Sequence, residues 1–188
     1  MKSKLSVLAM IVFITVNCSS PENAKNSDGP MPASDILEMA KKEARKQNKN
    51  IFIMWHASWC GYCHKLDTLM NDELIKEYFT GSYVIKHMIV KEHKEEMKLL
   101  ENPGAAELLA KYNGDKAGIP FWVVLNKKGE LLADSYMRED GIGMDKPGQN
   151  TGCPLMKAEV EHWISVLKKT TDIPEEGLKK IYDKFLKK

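Results

Sequence analysis

The chain holds 188 residues, 43% of them hydrophobic and 29% charged, with 28 basic side chains against 26 acidic ones and a formal net charge of +2. A chain of this length and mix folds as one globular domain with appendages, and it carries neither the low-complexity tracts nor the internal repeats of disordered and solenoid proteins. The near balance of charge excludes the basic excess that drives nucleic-acid binding.

Residues 1–18 read as a signal peptide. Lys2 and Lys4 form a basic start, and Leu5 to Val16 is an apolar run too short to span a bilayer comfortably. Thr15-Val16-Asn17-Cys18, followed by Ser19-Ser20, resembles a bacterial lipoprotein cleavage site, with Asn17 atypical before the cysteine. Lipidation of Cys18 would tether the domain to a membrane surface; the alternative is plain secretion with cleavage nearby. Both destinations lie outside the cytoplasm, where disulfides persist. Without residues 1–18, which hold two lysines and no acid, the 28 basic residues fall to 26 and equal the 26 acidic ones.

Residues 19–33, rich in Ser, Asn, Pro and Gly, read as a flexible tether, and 34–188 as the folded domain with a C-terminal helical extension. A helix is predicted from Ser34 or Asp35 to about Gln47, with Glu38 completing a capping box with Asp35. Ile51 to His56 is nearly all apolar, as in a central strand covered on both faces. A helix follows from Cys60 to about Met70, and Asn71 or Asp72 caps a short helix through Phe79. Tyr83 to Val90 is the second central strand. Lys91 to Glu101 is charged, a helix or loop with solvated charges, and Ala105 to Tyr112 is helical. Phe121–Asn126 and Glu130–Tyr136 make a hairpin around Lys127-Lys128-Gly129. Met137 to Pro154 is a long loop, Leu155 to Lys169 the closing helix, and Pro174 opens a final short helix. The sum is an α/β domain, a mixed sheet flanked by helices.

The chemistry concentrates in Cys60-Gly61-Tyr62-Cys63-His64, preceded by Trp59. Two thiols at this spacing can close a small disulfide across the first turn of a helix. The unpaired N–H groups and partial positive charge at that turn favour a thiolate and make Cys60 a nucleophile near neutral pH. The same Cys-x-x-Cys-His run is also the attachment signature of c-type haem, with His64 as proximal ligand. The strand leading into the motif argues for redox thiols instead. No metal site is expected, because no second Cys or His pair has ligand spacing, and His56, His87, His93 and His162 are scattered.

Residues 35–170 resemble the thioredoxin superfamily. Besides the cysteines, Gly118-Ile119-Pro120, the run Phe121 to Leu125 and the turn Asn126 to Glu130 resemble that family's cis-proline loop, next strand and hairpin. Cys60 to Leu66 is similar to the active site of bacterial periplasmic disulfide isomerases. The flanks Leu66-Asp67 and Asn71 to Ile75 are more like soluble domains that accept electrons from a membrane relay. The resemblance implies a thioredoxin-like fold with extra N- and C-terminal helices, and a thiol–disulfide oxidoreductase without cofactor, reducing or isomerising protein or peptide disulfides. It implies Cys60 as the exposed attacking thiol, Cys63 as the buried resolving thiol, and a cis Pro120 that places the Ile119 backbone beside them to pair with extended substrate. Where many relatives carry a buried acid, this chain has Met54, so another base or water must serve the resolving step.

Trp59 and Tyr62 would form an apolar substrate rim, with local packing the alternative for Trp59. His64 as a cation would stabilise the Cys60 thiolate, or would point to solvent. Cys153, in Gly152-Cys153-Pro154, either exchanges with the redox pair or is a free, partly buried cysteine acting as a small apolar residue. A rival function is a non-enzymatic binding module whose cysteines form a structural disulfide.

Overall fold

The computed structural model describes residues 29–187. The expected leader 1–18 with Cys18, and residues 19–28 of the expected tether, lie outside the described residues. In chain order the elements are α1 (Ala33–Gln47), β1 (Asn50–His56), α2 (Gly61–Met70), α3 (Lys76–Ser82), β2 (Tyr83–Ile89), α4 (Glu95–Lys98) and α5 (Ala105–Lys111). Then come β3 (Phe121–Leu125), β4 (Leu131–Asp134), β5 (Tyr136–Met137), β6 (Gln149–Asn150), α6 (Lys157–Thr170) and α7 (Glu175–Leu186). Four strands form one sheet in the order β2-β1-β3-β4, and β5 pairs with β6 separately. β1 runs parallel to β2 and antiparallel to β3.

The unbroken apolar run of β1 follows from its place at the centre of this sheet. Phe52 and Met54 pack into a core that includes residues of α2, α3, α6 and α7, while Ile51, Ile53 and Trp55 pack with α1 and α5 on the other face. Alternating side chains therefore both meet apolar neighbours, and no polar face survives in the sequence. The first core is aromatic at its middle. The Trp163 ring meets Trp122 edge-on at 4.8 Å and Phe52 edge-on at 5.9 Å, and α7 closes it with Leu178, Ile181 and Phe185. This arrangement holds the C-terminal end of β1 and the start of β3 side by side, where the cysteines and Pro120 sit.

Local predictions differ at several ends. α1 begins at Ala33 with Pro32 as N-cap and no side-chain cap; Glu38 pairs with Lys41 instead of forming a capping box with Asp35. A Glu working at a helix start appears in α6, where Glu159 Oε2 accepts from the backbone N–H of Leu155 and Met156, both at 3.0 Å. Asp72 begins a turn rather than capping a helix: its Oδ1 accepts from Leu74 N–H at 3.1 Å, and α3 starts only at Lys76. The hairpin turn is held by Asn126, whose Oδ1 accepts from Lys128 and Glu130 N–H at 2.9 and 3.0 Å. Residues 137–154 are not one open loop, because β5 and β6 pair within them.

Arg138 anchors that segment. Its guanidinium donates to both oxygens of Asp134 at 2.8 and 2.6 Å and to the Lys146 carbonyl at 2.6 Å. The Asp134 side chain is 1% exposed and that of Arg138 10%, so removing the acid strands a buried cation. Asp134→Ala is expected to lower the unfolding free energy by about 3–5 kcal/mol in urea titration; a loss below about 1 kcal/mol, the scale of a surface pair, would refute a buried role for this contact.

Candidate active site

β1 ends at His56, and a turn in which Cys60 N–H donates to the Ala57 carbonyl at 3.1 Å delivers Cys60 to the start of α2. Cys60 is the N-cap, in extended conformation, and its Sγ accepts from Cys63 N–H at 3.1 Å. A sulfur so placed receives an unsatisfied helix N–H and the positive end of the helix field. Cys60 and Cys63 are joined in a disulfide with Cα atoms 5.3 Å apart. The sulfurs are thus bonded to each other, and His64 donates from Nε2 to the Ser58 carbonyl at 2.9 Å. Both facts speak against haem attachment, which needs both sulfurs and that imidazole.

The expected exposure of Cys60 is corrected. Cys60 is 3% and Cys63 1% exposed, packed with Ala57 and Ile119. With the disulfide closed, Cys60 Sγ lies 3.5 Å from the Ile119 carbonyl oxygen and is covered by that residue. Gly61 leaves the approach open, since a Cβ there would meet nothing within 4 Å, and Tyr62 stands 64% exposed beside it.

The Ile119–Pro120 peptide is cis. Its loop is held from behind by a segment that sequence reading did not connect to it. Asn150 Nδ2 donates to the Gly118 and Pro120 carbonyls at 2.8 and 3.2 Å, and Trp122 Nε1 donates to the Gly152 carbonyl at 2.8 Å. Gly152 has φ +48°, and a Cβ there would sit 2.9 Å from the Pro120 oxygen, so only glycine fits. A groove of about 430 Å³ runs past Tyr62, Ile119, Pro120, Cys153, Leu155 and Met156.

Cys153 is buried at the edge of this groove. Burial pushes its thiol up to about 12, with Lys65 pulling weakly the other way, so it stays protonated and poorly nucleophilic. Trp59 is fixed although 46% exposed: its Nε1 donates to the Lys91 carbonyl at 2.8 Å, and its ring stacks on His93 with centroids 4.0 Å apart. Local packing, not a free rim, describes it. The segment after β2 is likewise not merely solvated charge: Glu92 is 5% exposed and its carboxylate accepts from Ser58 N–H at 2.6 Å and Ser58 Oγ at 2.8 Å.

Met54 is buried, in register with His87 on one side and Trp122 on the other. His87 Nε2 meets Asp67 Oδ1 at 3.0 Å, and the His87 ring lies edge-on to His56 at 5.4 Å. His87 on β2, Asp67 on α2 and His56 at the end of β1 thus form an imidazole–carboxylate cluster near Met54. Among the described residues, no group of three or more His, Cys, Asp or Glu is arranged to hold a metal ion.

The chain belongs to the thioredoxin-like family, whose sequence model matches residues 33–127. With that fold, the Cys60–Cys63 disulfide makes it a thiol–disulfide oxidoreductase in the general sense. No curated protein matches the chain. Among solved structures it is similar to the disulphide isomerase from Xylella fastidiosa Temecula1, at 18% identity and TM-score 0.45 over 62% of this chain and 79% of that one. It is also similar to a DsbH oxidoreductase, at 22% identity and TM-score 0.41 over 79% and 95%. A thioredoxin from Thermus thermophilus matches at 18% identity and TM-score 0.40 over 74% and 85%.

Burial, with the His87 and His64 charges behind it, holds the pKa of His56 below the usual imidazole value of 6.5, against an opposing pull from Asp67. Burial does the same to His162. A depressed folded pKa means stability that is full above the unfolded value and lost as pH falls through the folded one. Unfolding free energy is therefore expected to drop between about pH 7 and pH 5, less so in His56→Gln. Urea titrations showing stability rising on acidification would refute this. For Cys153, iodoacetamide at about pH 8 should label the oxidised native protein far more slowly than the unfolded chain; equal rates would show an accessible thiolate.

Proposed function

We propose that Cys60 and Cys63 form the catalytic pair of a domain that reduces or isomerises protein disulfides outside the cytoplasm. The observation that carries this reading is the placement of Cys60 Sγ, which receives the Cys63 N–H at 3.1 Å and lies 3.5 Å from the Ile119 carbonyl beside cis Pro120. One side of the sulfur meets the field that stabilises a thiolate. The other meets the backbone of the Ile119–Pro120 loop, to which an extended substrate strand can pair.

In the reduced protein the Cys60 thiolate attacks one sulfur of a substrate disulfide, forming a mixed disulfide and releasing the other substrate sulfur as a thiolate. Cys63 then loses its proton and attacks Cys60 Sγ, releasing the second substrate thiolate. Two electrons pass from the protein dithiol to the substrate, and the protein is left as the Cys60–Cys63 disulfide. Isomerisation follows when a different cysteine thiolate of the substrate attacks the substrate sulfur of the mixed disulfide first, forming a new substrate disulfide and releasing Cys60 as its thiolate. With Met54 in place of a buried acid, the proton of Cys63 leaves to water or another base. Tyr62 offers an exposed apolar contact at the groove, and His64, exposed but bonded to the Ser58 carbonyl, braces the turn. Cys153 serves as a small apolar wall residue.

The extracytoplasmic setting is supported by the apolar start of the chain with its Cys18. Lipidation of Cys18 would hold the domain at a membrane surface, within reach of a membrane electron-relay donor that returns the pair to the dithiol. No helix among the described residues is long and apolar enough to cross a membrane.

Insulin reduction in the presence of a chemical reductant tests the reading. Wild type should accelerate it, Cys60→Ser should fall to the uncatalysed rate, and Cys63→Ser should accumulate a mixed disulfide through Cys60. Wild type no faster than Cys60→Ser would mean a structural disulfide in a binding module. In Cys63→Ser under mild oxidant no Cys60–Cys153 crosslink is expected; its accumulation would make Cys153 a third exchanging thiol.

A further inference from the structure

Three consecutive residues after β2 grip the turn that carries Cys60. The Lys91 carbonyl accepts from Trp59 Nε1 at 2.8 Å, the Glu92 carboxylate takes both the N–H and the hydroxyl of Ser58 at 2.6 and 2.8 Å, and His93 stacks on Trp59. Lys91 Nζ also donates to the Asp115 and Ala117 carbonyls at 3.0 and 2.8 Å, on the approach to the Ile119–Pro120 loop. One short strap therefore touches both halves of the site. Lys91 holds φ +57°, a left-handed conformation that a non-glycine residue rarely adopts, so the surrounding contacts fix the chain there.

Within the strap Glu92 differs from its neighbours in being buried. Its own N–H donates to Glu101 Oε1 at 2.7 Å, which brings a second carboxylate near. None of the ion pairs among the described residues includes Glu92. Ser58 and Cys60 share one tight turn, closed by the bond from Cys60 N–H to the Ala57 carbonyl at 3.1 Å. The other titratable groups around this turn are His64, bonded to the Ser58 carbonyl; His93, on the Trp59 ring; Lys91, engaged with loop carbonyls; and His56, two residues before Ser58.

We infer that Glu92 is a positioning residue that sets the redox poise of the Cys60–Cys63 pair, its carboxylate, held against the turn by Ser58, opposing the Cys60 thiolate and biasing the couple toward the disulfide. A negative charge close to a thiolate in a poorly solvated site raises the thiol pKa. A less stable thiolate makes the dithiol a stronger reductant, the reverse of strong oxidants whose reduced form is stabilised. The inference rests on the proposed redox role and gives it a direction.

The test uses the reduced full chain, Glu92→Gln, and Ser58→Ala. Gln keeps an acceptor for Ser58 N–H and a partner for its hydroxyl while removing the charge; Ser58→Ala removes a hydrogen bond and keeps the charge. The rate of Cys60 alkylation by iodoacetamide is followed against pH, and the couple is equilibrated with glutathione. Glu92→Gln should lower the apparent Cys60 pKa and shift the glutathione equilibrium severalfold toward reduced protein; a tenfold shift equals about 30 mV. Ser58→Ala should leave the Cys60 pKa at or above that of wild type. An unchanged or raised pKa in Glu92→Gln, or an equal fall in Ser58→Ala, would overturn the inference. Alkylation reads the effect of Glu92 even if the protein turns over no substrate, so failed insulin reduction by wild type would count against the proposed function alone.

Discussion

The site is built on one meeting point: the Cys60 sulfur at the start of α2 set against the Ile119 carbonyl at the start of β3. Neither half makes chemistry alone. A cysteine at a helix N-terminus has a stabilised thiolate but no means to orient a substrate, and a proline loop has backbone to offer but no nucleophile. β1 joins them, because it feeds α2 at its C-terminal end and pairs with β3 along its length. The burial of Ile51 to Trp55 between two cores makes the relation rigid, and the aromatic cluster around Trp163 and Trp122 braces it from one side.

Around that point the protein departs from a minimal design on two sides. The segment from Asn150 to Cys153 folds against the proline loop, with Asn150 tying two of its carbonyls and Gly152 approaching closer than any side chain would allow. The strap from Lys91 to His93 holds the opposite edge. Trp59 is thereby tied to the protein by its indole N–H and its stacked ring, while Tyr62 and Met156 stand exposed along the groove beside Cys153. The buried carboxylate of Glu92 and the missing acid at Met54 share a logic. Met54 leaves the strand beneath the pair without a charge, and the Glu92 carboxylate enters from the side, against the turn.

Much of this was legible in the sequence. The β1 run, the two-residue cysteine spacing and Gly118-Ile119-Pro120 are local patterns whose physics is set within a few residues, and each sits where it was expected. Helix ends were less legible, since Glu38 finds Lys41 as easily as the helix start and the competition leaves no mark on the pattern. Glu92, Asn150 and Arg138 were not legible as site or loop anchors. The partners of Glu92 and Asn150 lie about thirty residues away, and a charged residue in a charged segment looks the same whether solvated or buried. The covering of Cys60 by Ile119 is also a tertiary fact, invisible to helix-start reasoning, which speaks only of the field at the sulfur.

The equilibrium potential of the wild-type Cys60–Cys63 couple tests the central claim most directly. A reversible pair of the reducing kind should equilibrate with glutathione at a potential nearer about −270 mV than about −120 mV. A couple that fails to equilibrate, or that settles near the oxidising end, would contradict the account.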